Sequence, residues 1–389
     1  MDRKLNVQSS RLPGILCLIL VTGYLIVGLW PFDFFPRNRV SWIENSPGLR
    51  FEGPETGSGR DAGGVAFTPA TLSSGGQEKG RAFSIEILLR CDREPKGRLP
   101  NILAFCDRSK KIALMVGQWK TSLIVRKYER STIAGRKWRE IGVRDALPAG
   151  RTRLVTITQD DTGVVIYLDG LPAKRSSSFS PFPDKGAPSG HYLLLGNSPD
   201  ASSGWSGSVS GVRLFSRALT AEEVLRRFES WSKGVGGDRK GGEGLFVQYR
   251  FAERAGNEVR DSSGRGNHLL IPQHPVFSRT ILEPVRFDLH NRKSLAQDMI
   301  VNVAGFIPFG FIFPVWLGKV GVWPKGRILV AGIAAGFFVS LAIELTQGFI
   351  PVRSSSQLDV LCNTLGMAAG LIVSNKRKNQ VRSPRSNHG

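Results

Sequence analysis

The chain has 389 residues, 41% of them apolar and 22% charged. That length exceeds one small domain, and that apolar share excludes a wholly disordered chain. With 53 basic against 32 acidic side chains the net charge is +21, which points to an anionic partner: nucleic acid, a membrane surface or an acidic polymer. Four cysteines are too few for a disulfide-dense scaffold. None forms the C-x-x-C pair that holds zinc or runs redox chemistry, so no metal and no cofactor is expected.

In chain order, residues 1–11 form a short basic start carrying Arg3, Lys4 and Arg11. Residues 12–30 are 19 uncharged positions, about 28 Å of helix at ~1.5 Å per residue, enough to cross a bilayer. Only Trp30-Pro31-Phe32-Asp33 follows, with no small-x-small cleavage site, and no small residue precedes Cys17. The segment therefore reads as a retained anchor rather than a signal peptide.

Residues 45–285 are punctuated by Gly and Ser and carry short alternating runs, among them AFSIEILLR (82–90), KIALMVG (111–117), RLVTITQ (153–159) and GVVIYLDG (163–170). Period-2 alternation between turn residues predicts antiparallel strands, and so many short ones predict a sandwich. Asp161-Thr162-Gly163 and Asp169-Gly170 are hairpin signals. Thr220 with Glu223 forms a capping box for a short helix. Cys91 and Cys106 end what read as adjacent strands, which makes them a disulfide candidate in an oxidising compartment. Cys17 and Cys362 fall in apolar spans and read as packing residues.

Three further apolar segments close the chain: 297–318, 328–350 with the single acid Glu344, and 358–375 with Asp359 near its start. The last contains Gly366, Ala368, Ala369 and Gly370, small residues suited to close helix packing in lipid. Lys319, Lys325 and Arg327 lie between the first two, and residues 376–389 form a basic tail. The positive-inside rule then puts both termini and the 319–327 loop in the cytoplasm and residues 31–298 outside it, in a multi-pass protein of the cell membrane. Nucleic acid is not expected on the outer side.

The run VTITQDDTGVVIYLDGLPA, then YLLLGNS, then WSGSVSGVRLFSRALTAEEV resembles the concanavalin A-like, laminin-G-like (LamG) jelly-roll family. The opening strand and turn of such domains resemble FVQYRFAERAGNEVRDSSGRGNHLLI (246–271), which stands near the end of the segment here. That position predicts either a permuted domain or an added hairpin. The fold hosts both lectins and glucanases, so its function has to come from a site. The E-x-D-x-x-E run of the glucanase branch is absent, since Glu86 is followed by Ile87-Leu88-Leu89. The expectation is a non-catalytic module that binds an envelope polysaccharide or a protein, or one that binds no ligand and only spaces its neighbours.

The apolar spans carry polar side chains at helical spacing. Glu344 and Gln347 share one face, Asp359 and Asn363 another, Asn302 lies in the preceding span, and Arg353 stands in the connecting loop. Under the assigned topology all six gather toward the outer half of the bilayer, with Arg353 within reach of either acid. Ionisable groups in a membrane are costly unless paired and often mark a site. The plainer reading is interhelical hydrogen bonding plus a loop charge at head-group level.

The arrangement NVAGFIPFGFIFP, then AIELTQGFIPVRSSSQLDVLCNTLGMAAG, closely resembles the VanZ-like membrane family, named for a glycopeptide-resistance protein. Its pattern of E-x-x-Q, P-x-R-x-x-x-x-x-D and N-x-x-G corresponds here to Glu344, Gln347, Pro351, Arg353, Asp359, Asn363 and Gly366, with Asn302, Pro308 and Gly310 from the preceding span. The first span with Pro31-Phe32 resembles that family's first helix. The expected architecture is thus a four-helix transmembrane bundle interrupted after its first helix by an all-β jelly roll. The expected partner is a membrane lipid or lipid-linked glycan, held by Asn302, Glu344, Gln347, Arg353, Asp359 and Asn363. An intramembrane enzyme on a lipid-linked cell-wall precursor, with Glu344 or Asp359 as general base, and a small transporter relaying protons through Glu344 are the alternatives.

Overall fold

The structure, a computed structural model, describes residues 2–54, 62–76, 81–130, 136–182, 188–232, 242–279, 281–284, 292–321, 323–351 and 353–382. The chain divides into two compact units, Phe35–Arg279 and a second built from Met1–Phe34 with Thr280–Gly389.

The unit Phe35–Arg279 is a sandwich of two antiparallel sheets, each of eight strands. Strands β1 (Val40–Trp42), β2 (Leu49–Phe51), β4 (Phe83–Cys91), β9 (Thr152–Asp160), β10 (Gly163–Leu168), β11 (Leu171–Ser176), β13 (Gly207–Phe215) and β14 (Leu245–Tyr249) make the first. Its order is β1-β2-β13-β4-β9-β10-β11, with β14 also paired to β13. The second sheet runs β15 (Glu258–Val259), β16 (Leu269–Leu270), β3 (Ala66–Phe67), β12 (Tyr192–Leu195), β5 (Asn101–Cys106), β6 (Ile112–Trp119), β7 (Ser122–Arg130) and β8 (Arg136–Val143). β1 begins upstream of residue 45.

Alternation decides which side chains of β4 and β9 enter the core between the sheets. Ile85, Ile87 and Leu89 of β4 and Val155 and Ile157 of β9 enter a core shared with Phe105, Val116, Val125 and Trp205, all fully or almost fully buried. The indole N–H of Trp205 donates to Gln118 Oε1 at 2.8 Å, which satisfies a polar atom that would otherwise be stranded in the core. Both expected hairpins form. Asp161-Thr162 links β9 to β10, and Asp160 Oδ1 accepts from the Thr162 N–H at 2.8 Å. Asp169-Gly170 links β10 to β11, with both residues at positive φ (50° and 85°), the conformation a primed hairpin turn requires.

Helix α2 (Ala221–Ser232) carries the expected capping box. The Glu223 N–H donates to Thr220 Oγ1, and the Thr220 N–H donates to Glu223 Oε2 at 2.9 Å. The displaced 246–271 segment adds to both sheets: β14 lies beside the far half of β13, and the β15–β16 pair extends β3. Asp261 closes the turn between them, accepting from the N–H groups of Gln248, Ser263 and Asn267.

The two strand-end cysteines correct an expectation. Cys91 ends β4 in the first sheet and Cys106 ends β5 in the second, so they are not hairpin neighbours, and both are free, buried thiols. The alternating pattern predicts each strand but not the sheet it joins. Burial raises the Cys91 thiol to about 12 and also pushes Cys106 upward, so neither thiol is activated.

The other unit contains α1 (Asp2–Leu29), α3 (Arg292–Val320), α4 (Lys325–Gln347) and α5 (Gln357–Arg382). All four are long and apolar enough to cross a membrane. The hydrocarbon-facing surface remains apolar, with Leu18, Ile19, Ile300, Val330 and Phe338 more than half exposed. Close approach of backbones holds α3 to α5. A Cβ on Gly310 would run into the Met367 carbonyl, and one on Gly366 into the Val303 carbonyl.

Candidate functional site

The six polar residues all lie in the helical unit, and the structure sorts them into two roles. Gln347, at the end of α4, donates from Nε2 to the Gly28 carbonyl at 2.9 Å. Arg353 donates from Nε to the Trp30 carbonyl at 2.8 Å and from Nη2 to the Val27 carbonyl at 2.9 Å. The last carbonyls of a helix have no partner within it, and in or near hydrocarbon that deficit is expensive. Gln347 and Arg353 therefore cap α1 from outside. This corrects the expectation that Arg353 meets Glu344 or Asp359, because the carbonyls at the end of α1 compete successfully for its guanidinium.

The other four residues gather where α3, α4 and the start of α5 meet. Glu344, 3% exposed, accepts from the Ser356 N–H at 2.8 Å. Ser356 is the residue before α5, and its hydroxyl accepts from the Leu358 N–H at 3.1 Å, so it acts as the helix cap. Asp359 lies in the first turn of α5 and accepts from Asn302 Nδ2 of α3 at 2.8 Å. Both carboxylates thus lie at the positive end of the α5 dipole. One turn further along α5, Asn363 donates to Ser340 Oγ of α4 at 2.9 Å, with both residues buried.

A short backbone pairing fixes the geometry. The Glu283 N–H donates to the Ser355 carbonyl at 2.7 Å, the Gln357 N–H to the Glu283 carbonyl at 3.1 Å, and the Leu282 N–H to Ser355 Oγ at 2.9 Å. This clamp holds the α4–α5 loop so that the Ser356 N–H faces Glu344. Sequence reading missed Ser340, Ser355 and Ser356. Serine is common in loops and tolerated in spans, and only its partners distinguish these three.

The jelly roll carries its own polar surface. Cross-strand register places Ser41, Arg50, Ser208, Arg90 and Thr152 in one row across β1, β2, β13, β4 and β9, on the face away from the core. Trp42, Asp92 and Ser210 help to line a depression of about 520 Å³ around this row. Arg50 pairs with Asp92 at 2.9 Å. A parallel row, Gln248, Arg213, Glu86 and Thr156, is closed over by α2, whose Trp231 ring rests on Gly211.

Glu86 and Arg213 are both about 1% exposed. Arg213 Nη1 lies 3.5 Å from Glu86 Oε2, and Arg227 Nη1 lies 3.8 Å from the same oxygen. Burial raises the Glu86 pKa more than Arg227 and Arg213 lower it. Glu86, the β4 acid compared with the glucanase run, is thus enclosed and presents no carboxylate to solvent.

Two family models match the chain, and the match to the helical unit extends back over β14–β16 of the sandwich. Residues 245–375 match the VanZ/LLP1 family model, and residues 69–225 match the model of the concanavalin A-like lectin/glucanases superfamily. Protein VanZ of Enterococcus faecium is 33% identical over 92 residues, covering 23% of this chain and 53% of that protein. The chain thus spans about half the length of that curated relative. A protein of Bacteroides ovatus ATCC 8483 described as carbohydrate-binding has a solved structure with a TM-score of 0.38 and 17% identity, covering 61% of this chain and 63% of that one. Trypanosoma rangeli sialidase in complex with the inhibitor DANA gives 0.36 and 18%, covering 50% and 29%. Likeness at this level carries no ligand across.

Proposed function

For this membrane protein, which joins a VanZ-like helical domain to a concanavalin A-like jelly roll, we propose that the helical domain binds the head group of a lipid or lipid-linked glycan at the outer leaflet. The observation that carries this reading is the pair of carboxylates, Glu344 and Asp359, at the α5 start, each accepting a hydrogen bond from a neutral donor. A carboxylate has about four acceptor sites and each takes one of the bonds above, so a hydroxyl- or amine-bearing head group matches the remaining capacity. Arg353 gives two of its five N–H donors to the end of α1, and its others suit a phosphate at the membrane surface. The jelly roll presents the Arg50–Ser208–Arg90–Thr152 row with Trp42 as a surface for an envelope polysaccharide or protein. Both termini and the 319–327 loop face the cytoplasm, and residues 31–298 lie outside it, as the distribution of Lys and Arg favours.

Glu344→Gln and Asp359→Asn test the head-group reading. Each amide retains an oxygen that can accept the Ser356 or Asn302 donor, so the fold is kept while the charge is lost. The full chain is purified in mild detergent and its co-purifying lipids identified by mass spectrometry. Wild type is expected to retain a lipid-linked glycan or sugar-bearing lipid that each variant loses by about tenfold, the worth of one charge-assisted hydrogen bond. Retention equal to wild type in both variants would leave the cluster as helix glue. Arg353→Ala is the poorer probe, because it also removes the cap of α1.

A further inference from the structure

The helical unit has a second polar end. From Asp359 to Arg377 is about 27 Å along α5 at ~1.5 Å per residue, close to the thickness of a hydrocarbon core. There α3, α4 and α5 line a groove of about 990 Å³. Its walls are apolar, with Phe311 from α3, Ile328 from α4 and Leu371 from α5. Its rim carries Lys325, Lys376 and Arg377, and no described residue lining it is acidic. The Arg377 guanidinium sits 6.0 Å from the centroid of the Phe311 ring, which fixes one rim cation against one wall.

We propose that this groove is a binding site for an anionic phospholipid, with an acyl chain between the three helices and the phosphate on Lys325, Lys376 and Arg377. Apolar walls at this depth face hydrocarbon, so an acyl chain is the occupant that leaves no void and strands no polar group. The rim supplies what a zwitterionic head group does not repay: an ammonium at the start of α4, with an ammonium and a guanidinium fork near the end of α5. Snorkelling cations on a smooth bundle would favour anionic lipid only diffusely. A groove beneath them makes the preference local and saturable. This site is independent of the head-group reading at the other end of the helices.

The test is native mass spectrometry of the full chain titrated with phosphatidylglycerol and phosphatidylcholine of identical acyl chains. Wild type is expected to retain phosphatidylglycerol in preference by about tenfold or more, given roughly fivefold per basic residue near the membrane surface. Lys376→Gln with Arg377→Gln should abolish most of that preference, while Arg3→Gln with Lys4→Gln, an equal loss of charge from the other terminus, should preserve it. Gly326→Phe gives a second handle. Gly326 lines the groove, and a Cβ placed there would meet nothing within 4 Å. The ring can therefore take up part of the groove beside Lys325 with every charge intact, and the preference should fall without loss of thermal stability. Equal retention of the two lipids by wild type overturns the proposal. So does an equal loss in both charge variants, or a Gly326→Phe protein that keeps the full preference.

Discussion

Glu223 shows how one side chain can hold a local structure together. Its carboxylate accepts from Arg217 Nη2 at 2.6 Å and Nη1 at 2.8 Å and from the Thr220 N–H at 2.9 Å. The Arg217 bonds, chiefly, pull its pKa down to about 2 from an ordinary 4.5. A depressed carboxylate stabilises the fold above its unfolded value and loses that contribution as pH falls through the folded one. Glu223→Gln keeps a capping acceptor but loses the ion pair with Arg217, and is therefore expected to cost about 1 kcal/mol at neutral pH. The deficit relative to wild type should shrink as pH falls from about 4.5 toward about 2. Thermal unfolding of the two full-length proteins, followed by near-UV circular dichroism across that range, checks it; a deficit independent of pH would refute the role.

Among elements, the α3–α5 crossing depends on missing side chains. Gly310, Gly366 and Gly370 each leave room for a carbonyl of the facing helix, and backbone, unlike a flexible side chain, cannot move aside cheaply. Gly366→Ala should thus destabilise the helical unit, by about 1–3 kcal/mol if it behaves like other overpacked sites. Gly305→Ala on α3, where a Cβ meets nothing within 4 Å, is expected to be neutral or to gain up to about 1 kcal/mol of helix propensity. Melting of the detergent-solubilised variants by far-UV circular dichroism separates the two, and like-signed shifts would show that packing at Gly366 is not limiting. In the jelly roll, α2 covers one of two parallel polar rows and leaves the other exposed. Losing one partner of the Glu86–Arg213 pair there would strand the other charge.

For the whole molecule, the chain inserts a complete β-sandwich after the first of four bilayer-length helices. The proposed topology is testable in the wild-type background, because all four cysteines are buried. A cysteine at Ser354, exposed between α4 and α5, should react with an impermeant maleimide on intact cells. One at Lys319 should react only after permeabilisation. The opposite pattern would invert the orientation drawn from the positive charges.

Much of this was legible in the residues alone, wherever the signal is local. Span length and apolarity mark the four helices, period-2 alternation marks the strands, and Asp169-Gly170 and Thr220–Glu223 specify their turn and cap, since each depends on neighbours within a few positions. Glu344, Asp359 and Asn302 could be singled out because ionisable and amide groups are rare in such spans. Their pairing could not be. Arg353 lies between two acids in sequence yet binds the end of α1, more than three hundred residues away in the chain. Cys91 and Cys106 look like hairpin partners yet belong to opposite sheets. Glu86 stands out in the sequence only against the glucanase run, and its burial under α2 beside Arg213 has no signal in the residues around it. The sequence by itself determined the elements and their chemistry. Only the tertiary structure decided the partners, because which donor reaches which acceptor depends on helix crossings and sheet order, which no short window of residues encodes.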